Sequence, residues 1–218
     1  CYQCGGCTGV CPWGELTDFN PRKLIRIAQL GLSNLASEDI WYCTSCSECV
    51  DQCPHEILVP EIMSSLRASN IEKGKLPKPA QEALESLYNL GNPWGGSKRK
   101  RTDWMKDLNI ENYEDQEILW WVGCTPAYDE RIQSVAESLA KVFDVIDVDF
   151  GILGIEENCC AEMALWLGEV GLFENFKEEN LEIFEKSGAD KVITTSPHCY
   201  DVFKNRYQEI DIEFLHYT

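Results

Sequence analysis

Two cysteine runs of identical spacing constrain this 218-residue chain more than any other feature. Cys1, Cys4, Cys7 and Cys11 are followed by Pro12, and Cys43, Cys46, Cys49 and Cys53 by Pro54. Each run reads C-x-x-C-x-x-C-x-x-x-C-P. Eight of the twelve cysteines lie in these two segments, whereas a disulfide framework spreads its cysteines over the loops it closes. The overall content is also below the roughly 8–10% that marks a small secreted disulfide scaffold. Thiols clustered at short fixed spacing point to metal, and therefore to a reducing, cytoplasmic compartment. No wholly apolar run exceeds the five residues of Ile118 to Val122, far short of the roughly 20 that span a membrane. Cys1 stands inside a motif, so further sequence is expected upstream of it.

The C-x-x-C-x-x-C-x-x-x-C-P run is the ligand pattern of bacterial ferredoxins with two cubane 4Fe–4S clusters. Three thiolates three residues apart wrap three corners of one cube. The fourth, after a wider gap and before a proline, is carried to the other cube. This assigns Cys1, Cys4, Cys7 and Cys53 to one cluster, and Cys43, Cys46, Cys49 and Cys11 to the second. Zinc also accepts soft thiolates, but a four-Cys zinc site groups its ligands as two separated pairs. Two complete quartets favour iron. Between the runs, Asn20-Pro21 opens an apolar series, Leu24, Ile25, Ala28, Leu32 and Leu35, at helical spacing, and Ile57 to Ser69 also reads as helical. Such an insert is unlike the compact strand-rich small ferredoxins. It resembles the alpha-helical ferredoxin domain of large redox complexes, expected here over residues 1–70.

Residues 71–102 read as a linker. Lys73 to Pro79 is rich in Lys, Gly and Pro, Ala80, Leu84, Leu87 and Tyr88 mark a short amphipathic helix, and Asn92-Pro93-Trp94-Gly95-Gly96 breaks it. Lys98 to Arg101 is a basic run that reads as solvated. The charge then changes sharply. Residues 1–102 carry 11 basic and 11 acidic residues, and residues 103–218 carry 8 basic and 26 acidic, which places a boundary near residue 102. A strongly acidic half repels phosphates, so nucleic acid is excluded as a partner.

From Glu117 the pattern alternates strand and helix. Strands are expected at Ile118 to Val122, Val145 to Leu153, Val192 to Thr195 and Ile212 to His216, with helices between them. This predicts an α/β, Rossmann-like domain with a mostly parallel sheet over residues 103–218. The remaining cysteines fall at strand ends on that map. Cys124 follows the first strand, Cys199 follows the third, and Cys159 and Cys160 occupy a loop opening a helix. Open parallel sheets bind ligands beyond the carboxyl ends of their strands, so the four are candidates for one site.

The stretches Val122-Gly-Cys-Thr-Pro126, Glu156-Glu-Asn-Cys-Cys-Ala161 and Thr195-Ser-Pro-His-Cys-Tyr200 resemble the CCG, or cysteine-rich, domain of heterodisulfide reductase. In that family a distant Cys, a Cys-Cys-Gly pair and a Cys-x-x-Cys supply five thiolates to a non-cubane cluster. Two departures stand out. Ala161 replaces the glycine, and Ser196 stands where the first cysteine of the last pair belongs. The resemblance therefore implies a third iron–sulfur cluster at Cys124, Cys159, Cys160 and Cys199, its type open between a four-thiolate cubane and an altered cluster with a Ser196 oxygen. Zinc or an empty site are the alternatives. It further implies a mixed fold, a helical ferredoxin domain followed by a CCG domain that is the first of two in the full protein. The implied function is an iron–sulfur electron-transfer subunit of a heterodisulfide-reductase-like complex. Its partners would be a flavoprotein or other electron donor and an acceptor subunit, with any membrane contact made through them or through sequence outside this chain. The alternatives are a catalytic thiol–disulfide or quinone-linked reductase, and a CCG domain retained only for subunit interaction. No catalytic residue is assigned.

Overall fold

A computed structural model describes residues 1–33, 36 and 38–218. The chain divides into two compact units, Cys1–Ala80 with Met163–Val170, and Gln81–Glu162 with Gly171–Thr218. Among the described residues no helix is long and apolar enough to cross a membrane.

The first unit is helical. Its described α-helices are α1 (Gly6–Gly9), α2 (Pro21–Gln29), α3 (Glu48–Asp51) and α4 (Val59–Ile71), with a 3₁₀ segment at Glu38–Tyr42. Helix α2 starts where Asn20 caps it, its side chain accepting from the Lys23 N–H at 3.1 Å, with Pro21 in the first turn. It ends earlier than the apolar spacing predicts. Gly31, at φ +67, turns the chain, and the Leu32 and Gly31 amides bond back to Ile27 and Ala28. Leu32 is left exposed, and Leu35 lies outside the described residues. Leu24 and Ile25 of α2 pack with Ile40, Val59, Met63 and Leu66 in a core that Cys7, Cys11, Cys43 and Cys49 also touch.

Met163–Val170 belongs to this unit through contacts that nothing in the sequence announces. Ser64 donates to the Leu165 carbonyl at 2.6 Å. Gly168, at φ +100, lies so close that a Cβ there would meet the Ala68 nitrogen at 2.5 Å.

The second unit is built on four parallel strands, β1 (Ile118–Trp121), β2 (Phe150–Ile152), β3 (Lys191–Thr194) and β4 (Glu213–His216), in the order β2-β1-β3-β4. The helices are α5 (Lys78–Leu90), α6 (Cys124–Tyr128), α7 (Glu130–Val145), α9 (Val170–Ser187) and α10 (Pro197–Arg206), while α8 (Glu162–Leu167) has all but Glu162 in the first unit; α5 and α9 each begin in the first unit. Successive strand residues face opposite sides. Trp120 packs with Trp104 and Phe143 on one face, and Trp121 with Phe184 and Phe203 on the other. The second strand is shorter than Val145 to Leu153. Val145 is the last residue of α7, and Asp147, at φ +59, wraps the helix end so that the Val148 amide reaches the Phe143 carbonyl at 2.9 Å. An aspartate in the role of a C-terminal glycine makes the following alternation look like strand.

Candidate metal centres

The two cysteine runs wind alike. In the first, Gln3 (φ 61) and Gly5 (φ 91) lie in the left-handed region; in the second, Ser45 (φ 55) and Ser47 (φ 65) occupy the matching positions. Left-handed residues alternating with right-handed ones turn successive backbone N–H groups toward one concavity, the arrangement that holds anions and iron–sulfur groups. Gly5 and Ser47 immediately precede α1 and α3, which carry the third cysteines, Cys7 and Cys49.

The two runs border two cavities. One, of about 400 Å³ including the part open to solvent, is lined by Cys1, Cys4, Cys7 and Cys53 together with Arg22 and His55. The other, of about 380 Å³ measured the same way, is lined by Cys11, Cys43, Cys46 and Cys49, with Trp13 and Glu48. The fourth cysteine of each run thus lines the cavity of the other run. Val59 borders both, and Cys7 is close enough to Cys49 to raise its pKa.

Two of these thiols, Cys7 and Cys49, resist ionisation. Burial, then the neighbouring Cys43 and Cys46, pushes Cys49 up to about 12, and burial raises Cys7. Cys53 goes the other way, held low by the backbone N–H groups of Ile57 and His55. Crowded thiols of this kind become thiolates together only around a cationic centre, which deprotonates its sulfur ligands outright. Soft donors and cavities wider than one ion suit an iron–sulfur group. Among the described residues, no three His, Cys, Asp or Glu side chains converge on a single ion.

In the second unit the strand order reverses between β1 and β3, the switch point beyond whose carboxyl ends open sheets bind ligands. Cys124 begins α6 directly after β1, Cys199 lies in the first turn of α10 after β3, and Cys159 and Cys160 follow β2. The Sγ atoms of Cys124 and Cys159 are 3.6 Å apart, and those of Cys160 and Cys199 3.2 Å. Cys124 acts electrostatically on Cys160 and Cys199, so the two pairs are neighbours. All four thiols are raised: Cys124 by its bond with Cys159 and then by burial, and Cys159, Cys160 and Cys199 because burial and nearby thiols outweigh a lowering bond to one partner. Gly123, at φ +88, lets β1 turn into α6; a Cβ there would stand 3.8 Å from the Cys199 sulfur. Ser196 is the N-cap of α10, yet its hydroxyl caps no backbone N–H. His198 is exposed and pairs with Glu162 at 3.3 Å, a bond that raises its pKa.

Three supporting residues escape the sequence reading. Arg101 leaves the basic run Lys98 to Arg101: the other three members are exposed, whereas it is buried against Glu157. Burial opposes its charge, but the Glu157 carboxylate overrides this and raises its pKa. Glu157 in turn accepts from the Val122 and Gly123 amides at 2.9 and 2.8 Å, and Arg101 donates to the Asn158 carbonyl at 3.1 Å. The pair fastens the cysteine loop to the end of β1. Asn180, fully buried on α9, donates to the Cys159 carbonyl at 3.0 Å. The one available signal for it is an Asn on the apolar face marked by Phe176 and Phe184. Ala161 adopts φ +56, the conformation a glycine supplies freely, and its N–H reaches the Cys159 sulfur at 3.4 Å.

A helical unit with two sulfur-lined cavities and an α/β unit with cysteines at its switch point define an iron–sulfur protein with ferredoxin-type and cysteine-rich domains. A 4Fe-4S dicluster domain model matches residues 1–57, and a cysteine-rich domain model, CCG, matches residues 118–204. The "Probable iron-sulfur-binding oxidoreductase FadF" of Bacillus subtilis is 36% identical over 208 residues, covering 90% of this chain and 28% of its own length. The EtfAB:quinone oxidoreductase of Syntrophomonas wolfei is 33% identical over 195 residues, covering 84% of this chain and 27% of its own. One subunit of the dihydromethanophenazine:CoB–CoM heterodisulfide reductase of Methanosarcina barkeri is 27% identical over 252 aligned residues, covering 100% of this chain and 61% of its own length. The chain thus carries a 4Fe-4S dicluster domain and a cysteine-rich CCG domain, is similar over most of its length to iron–sulfur oxidoreductases, and spans between about a quarter and three-fifths of the length of these relatives.

Proposed function

We propose that this chain is an electron-transfer segment of a heterodisulfide-reductase-like oxidoreductase. Cys1, Cys4, Cys7 and Cys53 hold one 4Fe–4S cluster, and Cys11, Cys43, Cys46 and Cys49 the other. The observation that carries this reading is the crossed lining of the two cavities. The clusters supply one-electron chemistry; the protein's part is to hold them, limit water and set their electrostatics. Val59, common to both cavities, keeps them adjacent, as a relay needs.

Cys124, Cys159, Cys160 and Cys199 hold a third iron–sulfur cluster. Four gathered sulfurs support it, and the hydroxyl of Ser196, which caps no N–H of α10, supports an oxygen ligand in place of the missing fifth thiolate. Ser196→Cys then shifts the spectroscopic signature of this site and leaves the other two unchanged. Donor and acceptor are separate subunits or domains, since no dinucleotide fingerprint is present: Gly151-Ile-Leu-Gly154 lacks its spacing. The compartment is reducing, and any membrane contact is made through partners or through sequence outside this chain.

Metal analysis and EPR of the anaerobically purified chain test the reading. About eight iron atoms are expected in two 4Fe–4S clusters, with further iron that Cys160→Ser removes. Stoichiometric zinc without iron would refute the cluster assignment. Oxidation of a small substrate by the chain alone would refute the relay role.

A further inference from the structure

Arg67 of α4 is 3% exposed, and a buried guanidinium ordinarily faces a carboxylate. Among the described residues every hydrogen bond it makes is to a neutral backbone carbonyl. Its Nε and Nη2 donate to Ile40 at 3.2 and 2.9 Å, its Nη1 donates to Trp166 at 2.7 Å, and Nη2 also donates to the carbonyl of Cys43. The guanidinium carbon lies 5.4 Å from the ring centre of Trp41. Among the described residues no carboxylate pairs with it. Burial lowers its pKa, and the one charge that offsets this is the Cys43 sulfur. Arginine nevertheless stays protonated in proteins. The fold therefore keeps an uncompensated cation beside the cavity of Cys11, Cys43, Cys46 and Cys49, and Arg101 in the other unit shows that the same chain supplies a carboxylate where a buried arginine needs one.

We propose that Arg67 is the fixed counter-charge of the cluster in that cavity, raising its reduction potential while its bond to Cys43 positions the ligand loop. This rests on the two-cluster reading above. Four thiolates around the cluster leave a net negative charge, and one-electron reduction by an external reductant adds one more without a proton. A guanidinium in a medium of low dielectric stabilises the reduced form more than the oxidised one. Arg67 touches no reacting atom and is a positioning and electrostatic residue.

The test is an EPR-monitored dithionite titration of the full anaerobic chain, with the affected cluster identified by the signature that Cys46→Ser alters. Arg67→Gln, which removes the charge, moves the midpoint of that cluster to more negative potential. At the wild-type midpoint the oxidised-to-reduced ratio rises about tenfold, which is ~59 mV for one electron. Arg67→Lys, which keeps the charge but not the planar fork, stays within about twofold of wild type, and the other cluster does not move in either variant. An unmoved midpoint in Arg67→Gln with full iron content overturns the proposal, as do equal shifts in both variants. Where Arg67→Gln sheds about half of the roughly eight irons, retention in Arg67→Lys supports the counter-charge and equal loss in both overturns it. Absence of iron from the wild-type chain would instead refute the cluster reading itself.

Discussion

Six of the eight cysteines of the first unit meet in threes through short-range winding, whereas the four of the second arrive from the ends of three strands. In the first unit each quartet draws three members from a seven-residue stretch, and paired left-handed residues, Gln3 with Gly5 and Ser45 with Ser47, steer them inward. In the second, Cys124 and Cys199 are 75 residues apart in sequence, and a parallel sheet must form before they are neighbours. Buried arginines follow the same division. Arg101 is matched by Glu157 and fastens distant loops. Arg67 donates to backbone carbonyls, one of them in a cysteine loop. A locally wound site can be tuned through one charge, while a site assembled over long range depends on struts.

That contrast ranks the effects of substitution. Glu157→Gln leaves Arg101 buried without its counter-charge and should destabilise the second unit by about 3–5 kcal/mol, measured by denaturant unfolding. A loss below about 1 kcal/mol would show that the strut carries little. Gly168→Ala comes next, because a methyl at φ +100 would meet the Ala68 backbone; about 2–4 kcal/mol is expected from strain and overpacking together, and an unchanged midpoint would contradict the close approach. Gly5→Ala has open space, its nearest neighbour being the Arg22 side chain at 3.9 Å, so the left-handed backbone alone costs about 1 kcal/mol. Ser47→Gly, at the matching position of the second run, should return a gain under about 1 kcal/mol. Opposite signs at these two positions are the signature of a shared winding; equal signs would separate the two runs.

The same division decides what can be read from the sequence. The quartets are legible because ligand spacing, a proline after each run and the helical insert are all local patterns. The parallel sheet and the strand-end cysteines follow from alternating apolar periods. Arg101 is hidden in a basic run, since nothing in Lys98 to Arg101 says which member turns inward. Glu157 looks like one acid among many in an acidic half. Arg67 and the return of Met163–Val170 to the first unit depend on contacts about a hundred residues apart in sequence, which no local pattern encodes. Val145 and Leu32 fall outside their expected elements for one shared reason: left-handed residues end helices where apolar spacing runs on.

The crossing of the quartets is the central claim, and Cys53→Ser tests it most directly. EPR spectra and iron content of the anaerobic variant should show damage to the cluster of Cys1, Cys4 and Cys7, which lie far from Cys53 in sequence but line the same cavity. The cluster marked by Cys46→Ser should keep its signature. Damage confined to the cluster of Cys43, Cys46 and Cys49, with the first cluster intact, would contradict the account.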